Sequence, residues 1–376
     1  MATTRAPEYD VVMALTYYAP YVSGLTEAAR VVAEGLAAEG RRVLVVTTRH
    51  DAGLPATEVV NGVEVRRTPV VAHLGKGVIS PTFPVAVAAA ARRAAVLNMH
   101  LPMLEAGPIS LLTRGTPTVL TYQCDVSMSA TRVDRLQQVL MDRTTAMAMR
   151  RSAVVVPSSD DYAEHSRLAT AMAGKSQAIA PPCLDRAGGT PTFRDGSGMH
   201  VGFVGRIVEE KGLEYLVDGF RRIDDPGARL LVAGDHTRVA GGSVVERVRA
   251  AAGEDPRVRL LGFLPDESLP DFYASLDVFA LPSVNSFEAF GIVQVEAMMT
   301  GIPSLASDLP GVRIPVQRTG FGGIVPPRDP DAVHRALLGL QADPPDRAAG
   351  AAATRKWYGP GTSIRQYGEL FASLAK

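Results

Sequence analysis

The chain has 376 residues, 46% hydrophobic and 21% charged, with 39 Lys+Arg against 39 Asp+Glu. One hydrophobic core stops growing near ~250–300 residues, so the length asks for two domains. Zero net charge argues against a nucleic-acid binder driven by bulk electrostatics and weakens the case for a polybasic membrane surface. The two cysteines, Cys124 and Cys183, form no C-x-x-C pair and no metal spacing, so reduced, packed thiols and a cytoplasmic setting are expected. Residues 1–10 lack the apolar stretch of a secretory leader. No apolar run reaches the ~18 residues of a spanning helix; the Ala-rich run 85–96 is too short and Arg92 and Arg93 interrupt it.

Strand-like and helix-like segments alternate, the pattern of βαβ units and parallel sheets. In the first half, buried strands are expected over 10–16, 42–48, 95–99, 118–122, 153–156 and 176–180. A loop over 17–23 leads to an amphipathic helix over 24–39, closed by Gly40. Asn61-Gly62 within 59–68 is a hairpin signal. Helices are expected over 131–151 and 160–173. The stretch 181–198 is rich in Pro, Gly, Asp and Thr and is expected to be a linker. Alternation then restarts, with strands over 199–205, 228–233, 258–261, 278–281 and 303–306. Helices fall over 212–222, 243–252, 267–275, 291–300 and 331–341, and the tail 357–374 is helical. Two doubly wound units place ligands at the carboxyl ends of their strands, so the expected site is a cleft between them.

Three constellations stand out. In the first, Glu288 and Glu296 flank Phe290-Gly291-Ile292, the start of a helix set among apolar residues. Free first-turn amides and the positive helix end favour an anion there, and carboxylates beside it can accept from sugar hydroxyls. In the second, the strand 199–205 ends in Gly205-Arg206, with Lys211-Gly212 five residues on. Two cations at a strand's carboxyl end suit a diphosphate. Lys211 is one of five lysines, with Lys76, Lys175, Lys356 and Lys376, in a chain whose default cation is Arg. The third is Pro20-Tyr21-Val22-Ser23-Gly24, a glycine loop entering the first helix. It is neither G-x-G-x-x-G nor G-x-x-x-x-G-K-[ST], so neither a dinucleotide fingerprint nor a P-loop is present.

With these features the chain resembles the family 4 glycosyltransferases of the GT-B fold over nearly its whole length. The resemblance is densest in 202–212 and 258–311, including Leu261-Gly262-Phe263-Leu264-Pro265 and Ser307-Asp308-Leu309-Pro310-Gly311. It implies an α/β chain of two Rossmann-like domains facing each other across a cleft. The acceptor-binding domain would span 1–182, the linker 183–198 and the donor-binding domain 199–356, with the tail 357–376 packing back on the first. It implies a retaining hexosyltransferase taking a sugar from a nucleoside diphosphate donor, uridine first and guanosine next, to a small-molecule, lipid or saccharide acceptor. Arg206 and Lys211 would bind the diphosphate and Glu288 the donor-sugar hydroxyls. The amides of Ala289, Phe290, Gly291 and Ile292 would line sugar and phosphate. Glu296 would take the ribose, and Phe263 would lie near the base. Gly205 and Gly24 would allow close approach to the donor.

One departure concerns catalysis. The family usually carries a His where Thr121-Tyr122-Gln123 places Gln123. Gln can donate and accept hydrogen bonds but cannot titrate, so its expected role is positional. His100, ending the preceding strand, and Asp125 are the other candidate acceptor contacts, His100 being read first as a structural hydrogen-bonder. Pro182-Cys183-Leu184-Asp185 replaces the usual Asn-Gly-Val-Asp. No metal and no cofactor are expected: Asp329-Pro330-Asp331, the one D-x-D, looks like a capped helix start, and no His/Cys cluster exists. The acceptor loops are expected over 73–84 and 124–132. Three alternatives stay open on residues alone: a non-catalytic sugar-nucleotide-binding partner, a GT-B epimerase or phosphorylase, and a periplasmic-type binding protein.

Overall fold

The structure, a computed structural model, describes residues 6–74, 77–126, 132–235 and 243–375. Parts of both expected acceptor loops (75–76 and 127–131) and Lys76 and Lys376 lie outside them. The chain forms two compact units: Met1–Pro182 with Gly361–Lys376, and Cys183–Pro360.

The first unit runs β1 (Tyr9–Ala14), α1 (Gly24–Ala38), β2 (Val43–Arg49), β3 (Thr57–Val60), β4 (Val63–Pro69), β5 (Ala72–Leu74), β6 (Gly77–Ile79), α2 (Phe83–Ala91), β7 (Ala94–Leu101), α3 (Ala106–Leu112), β8 (Thr118–Tyr122), α4 (Arg132–Arg151), β9 (Val154–Pro157), α5 (Asp160–His165) and α6 (Ala169–Met172). Its main sheet has the order β3-β4-β2-β1-β7-β8-β9, parallel except for the β3–β4 hairpin. Continuous apolar runs such as Val11–Ala14 and Val43–Val46 are buried on both faces, as a helix-covered parallel sheet requires. Asn61 and Gly62, both at positive φ, turn the hairpin as expected.

The second unit runs β10 (His200–Val204), α7 (Leu213–Arg221), β11 (Arg229–Ala233), α8 (Val245–Ala252), β12 (Val258–Gly262), α9 (Leu269–Ala274), β13 (Val278–Leu281), α10 (Ile292–Met299), β14 (Ser304–Ser307), α11 (Ile314–Thr319), β15 (Gly322–Val325), α12 (Pro330–Ala342) and α13 (Arg347–Tyr358). Its sheet, order β12-β11-β10-β13-β14-β15, is parallel throughout. The winding direction reverses between β1 and β7 in one unit and between β10 and β13 in the other. Those reversals open crevices at the strands' carboxyl ends.

The tail differs from expectation. Trp357 belongs to the second unit, where Arg318 sits 4.7 Å over its ring. The return to the first unit begins at Gly361 with α14 (Pro360–Leu374). There Tyr367, Leu370 and Phe371 join the core of Val119, Val156 and Ile179. Each such side chain contributes ~1.5–3 kcal/mol through burial.

The expected linker is bound along the second unit. Thr190 N–H donates to Asp271 at 2.8 Å, Phe193 N–H to Ser275 at 3.0 Å, and Arg194 pairs with Asp277 at 2.9 Å. The expected strand over 176–180 is a single bridge at Ser176. Its N–H groups do reach the carbonyls of Val155 and Pro157, but Pro157 has no N–H to return the bond. The expected helix over 160–173 breaks at Ser166, whose backbone turns extended.

Candidate active site

The loops that follow β10 and β13 meet at the second unit's reversal point. Gly212 stands at φ +60°, and a Cβ there would meet the Pro282 carbonyl oxygen at 2.4 Å, so only glycine lets the loops pack. Val284 N–H donates to the Glu210 carbonyl at 2.9 Å across the same seam. The side chains join above it: Lys211 Nζ donates to Glu288 Oε2, and Ser283 Oγ reaches that oxygen at 3.4 Å. Lys211 and Glu288 are each 15% exposed. Asn285 shapes the loop below, its side chain accepting from Phe287 N–H at 3.1 Å. Arg206, expected to share the diphosphate with Lys211, is exposed, and its guanidinium turns to Glu210 at 3.3 Å.

Gly291 caps α10 at φ +81°, where a Cβ would strike Leu281 Cδ2 at 2.3 Å. Ala289 and Phe290 are buried beside it, and the Phe290 ring meets Tyr358 edge-on at 5.5 Å. No side chain caps this helix start. The turn is instead held by Gln294, fully buried, whose Nε2 donates to the carbonyls of Phe290 (2.6 Å) and Val312 (2.8 Å). Ser304 Oγ donates back to Gln294 Oε1 at 3.1 Å. Gln294 was not foreseen; its place three residues after Gly291, among the apolar residues that open the helix, was the available signal.

Glu296, one turn further on, is 5% exposed. Its carboxylate is held by three long contacts: Leu184 N–H at 3.4 Å, Tyr273 Oη at 3.4 Å and Arg186 Nε at 3.5 Å. Burial raises its pKa and the Arg186 charge opposes that rise. Burial works against the charge on Arg186 too, but a bidentate pair with Asp266 (2.6 Å twice) and the Glu296 charge outweigh it and raise its pKa. Burial, then the Glu296 charge, drive the neighbouring Cys183 thiol up. Asp185, from the altered linker motif, pairs with Arg355 at 2.7 Å and has a lowered pKa from that hydrogen bond. Phe263, just past β12, is 72% exposed.

In the first unit, α1 starts with a reciprocal cap. Thr26 N–H donates to Ser23 Oγ at 3.2 Å and Ser23 N–H to Thr26 Oγ1 at 2.8 Å. A Cβ on Gly24 would touch nothing within 4 Å, so the fold itself does not demand glycine there. Gln123 Nε2 donates to the Leu25 carbonyl at 3.4 Å, tying the end of β8 to the start of α1. Tyr17 and Tyr21 stack at 4.6 Å with His50 edge-on to both at 5.5 and 5.6 Å. This aromatic group, past the ends of β1 and β2, was not singled out from sequence because its members lie in two loops.

Two of the candidate acceptor contacts, Asp125 and His100, are buried in the first unit. The Asp125 carboxylate points inward and accepts from Tyr122 Oη, Ser166 Oγ (2.8 Å) and Arg167 N–H (3.3 Å), while its own N–H donates to Tyr162 Oη at 2.6 Å. It anchors the loop after β8, and the break at Ser166 supplies one of its donors. His100 is 2% exposed, and neither ring nitrogen has a hydrogen-bond partner among the described residues. It is therefore not the structural hydrogen-bonder expected. Asp329 caps α12 through Ala332 N–H at 2.9 Å, and Asp331 pairs with Arg222. Among the described residues no group of three or more His, Cys, Asp or Glu is placed to hold a metal, and no helix is long and apolar enough to cross a membrane.

Two α/β units built on largely parallel sheets are the architecture of the GT-B class of sugar-transferring enzymes. Residues 198–343 match the family described as glycosyl transferases group 1, and residues 23–181 the glycosyl transferase 4-like domain. The chain belongs to the family 4 glycosyltransferases of the GT-B fold. It is 29% identical over 284 residues to the 2-deoxystreptamine glucosyltransferase of Streptomyces kanamyceticus, covering 69% of this chain and 70% of that one. It is 30% identical over 260 residues to a D-inositol 3-phosphate glycosyltransferase of Corynebacterium urealyticum, covering 63% and 59%. The structure of the Anabaena protein HepE in complex with UDP-glucose matches with a TM-score of 0.70 at 18% identity, over 96% of this chain and 99% of that one.

Proposed function

We propose that this glycosyltransferase moves a hexose from a nucleoside diphosphate donor, a UDP-sugar first, to a hydroxyl of a polyhydroxylated six-membered ring of the cyclitol type. The observation that carries the reading is the Lys211–Glu288 pair beside the start of α10. The diphosphate sits against Lys211, Arg206 and the amides of Ala289 to Ile292, where growing negative charge is met by fixed donors and no metal is called on. Glu288 accepts from hydroxyls of the donor sugar, Glu296 from the ribose, and Phe263 lies by the base. HepE was captured with UDP-glucose, which supports a uridine donor. The names of both relatives specify a cyclitol, 2-deoxystreptamine or D-inositol 3-phosphate, as the ring that is glycosylated.

The acceptor ring is assigned to the first unit. The Tyr17–Tyr21–His50 group offers flat faces for ring C–H bonds, and Gln123 offers an amide to the ring's hydroxyls. His100, sealed in the core, is not given a ligand. Because Glu288 is tied to Lys211, it is a poor nucleophile. Same-face substitution fits better: the bond from the anomeric carbon to the phosphate oxygen breaks as the bond to the acceptor oxygen forms. The departing phosphate oxygen takes the acceptor proton, and configuration is retained.

A thermal-shift screen of UDP, GDP and ADP tests the donor, since a binder raises the melting point by mass action. Incubation of UDP-glucose with 2-deoxystreptamine, myo-inositol and D-inositol 3-phosphate, read by mass spectrometry, tests the acceptor class. Proton NMR of the product reads its anomeric configuration. No shift with any nucleotide, or an inverted product, overturns the reading.

A further inference from the structure

Arg186 was not among the residues expected to matter, yet it is the cation that faces Glu296. It arrives from the strap that follows Pro182, its side chain 12% exposed, and clamps Asp266 in the turn after β12 with two bonds of 2.6 Å. That clamp fixes the guanidinium plane and leaves Nε–H inward, buried and without a hydrogen-bond acceptor among the described residues, 3.5 Å from Glu296 Oε2. Among the described residues its other hydrogen-bond donors are neutral, Leu184 N–H from the strap and Tyr273 from α9, and the Cys183 thiol feels its charge. Asp266 is itself a carboxylate near Glu296 and disfavours a second negative charge there.

We infer that Arg186 is a positioning residue for the donor site: clamped by Asp266, it keeps the Glu296 carboxylate ionised and oriented to receive the two ribose hydroxyls. The inference rests on the assignment of Glu296 to the ribose. A buried carboxylate without a paired cation protonates rather than hold its charge. A protonated Glu296 spends one oxygen as a donor and no longer accepts both hydroxyls of a diol. All three of its contacts are long, so its oxygens are not saturated by the protein. Asp266 would act through the orientation of Arg186 and not by touching the nucleotide.

The test is calorimetric titration of the full chain with UDP-glucose, and with GDP-mannose in parallel, from acid to alkaline pH. Their diphosphates keep a constant charge and their uracil and guanine rings titrate only on the alkaline side, so the acid limb of the profile belongs to the protein. Arg186→Met is expected to weaken binding by about 10-fold, the equivalent of ~1.4 kcal/mol. It should also move the acid loss of affinity to higher pH. Arg186→Lys should restore the pH profile in large part. Glu296→Gln should weaken binding and abolish the acid limb in both backgrounds. If Glu296→Gln weakens binding while Arg186→Met leaves affinity and profile as in the wild type, the inference falls and the ribose assignment stands. If Glu296→Gln changes nothing, or the wild type binds neither donor, the assignment falls and takes the inference with it. Asp266→Asn keeps the Arg186 charge and loosens the clamp: a shift of the same sign as that of Arg186→Met supports the inference, and no shift overturns the clamp. If Arg186→Met does not fold, Arg186→Gln serves in the same comparison.

Discussion

Lys211 and Glu288, 77 residues apart in sequence, share one hydrogen-bonded ion pair across the seam between the loops after β10 and β13. Strand order brings them there, because β10 and β13 are neighbours and the winding reverses between them. Each side chain is largely shielded, so removing one leaves the other's charge poorly solvated. Lys211→Ala is expected to lower kcat by on the order of 10²-fold and stability by ~1–3 kcal/mol. The double variant Lys211→Ala, Glu288→Ala should regain much of the stability and none of the activity. Initial rates and urea denaturation of the four proteins give the cycle. Unchanged turnover in Lys211→Ala removes the residue from the diphosphate site.

Gln294 holds the backbone around the start of α10 through carbonyls, and leaves the first-turn amides free of a side-chain cap. Its amide holds two carbonyls and accepts from Ser304, all in the core. Gln294→Leu keeps the volume and leaves those groups unpaired, at a cost of ~1–3 kcal/mol or more. Because the Phe290 carbonyl is released, the loop bearing Ala289 to Gly291 loosens. The donor KM should therefore rise along with the loss of stability. A variant destabilised to that degree with an unchanged KM would show that the amide serves the core alone.

Tyr21 is 41% exposed and rests on Tyr17. Its removal costs the fold little, but removes the outer face of the aromatic group. An aromatic ring contact is worth ~0.5–1.5 kcal/mol, so Tyr21→Ala should raise the acceptor KM by roughly 2- to 10-fold. Donor hydrolysis in the absence of acceptor should continue at the wild-type rate. A donor KM that moves as much as the acceptor KM would place Tyr21 elsewhere.

The sheets were legible because buried parallel strands are short apolar runs: 118–122 and 278–281 coincide with β8 and β13. The glycine-rich 320–325 hid β15, and short helices such as α3 and α11 lack the length that makes periodicity visible. At the site, spacing singled out Glu288, Glu296, Arg206 and Lys211. It could not say that Lys211 would hold Glu288, that Arg206 would turn to Glu210, or that Asp125 would face inward. Those depend on which loop tips the crossovers bring together. Arg186 was missed because its setting looked like a linker, and only packing against Asp266 and Glu296 gives it a role.

His100 gives the first unit a pH dependence of its own. Burial lowers its pKa to about 3. An unfolded histidine titrates near ~6.5. Between those values the unfolded chain takes a proton that the folded chain refuses. The stability due to His100 is therefore whole above the upper value and falls as pH drops through the window, by at most ~1.4 kcal/mol per pH unit. His100→Leu removes both the proton linkage and two unpaired ring nitrogens. Its denaturation midpoint at neutral pH should equal or exceed that of the wild type, and its loss of stability toward acid should be shallower. Carboxylates titrate in both proteins, so the difference between the two curves isolates the histidine. Parallel curves would mean that the His100 ring reaches water or a partner in solution.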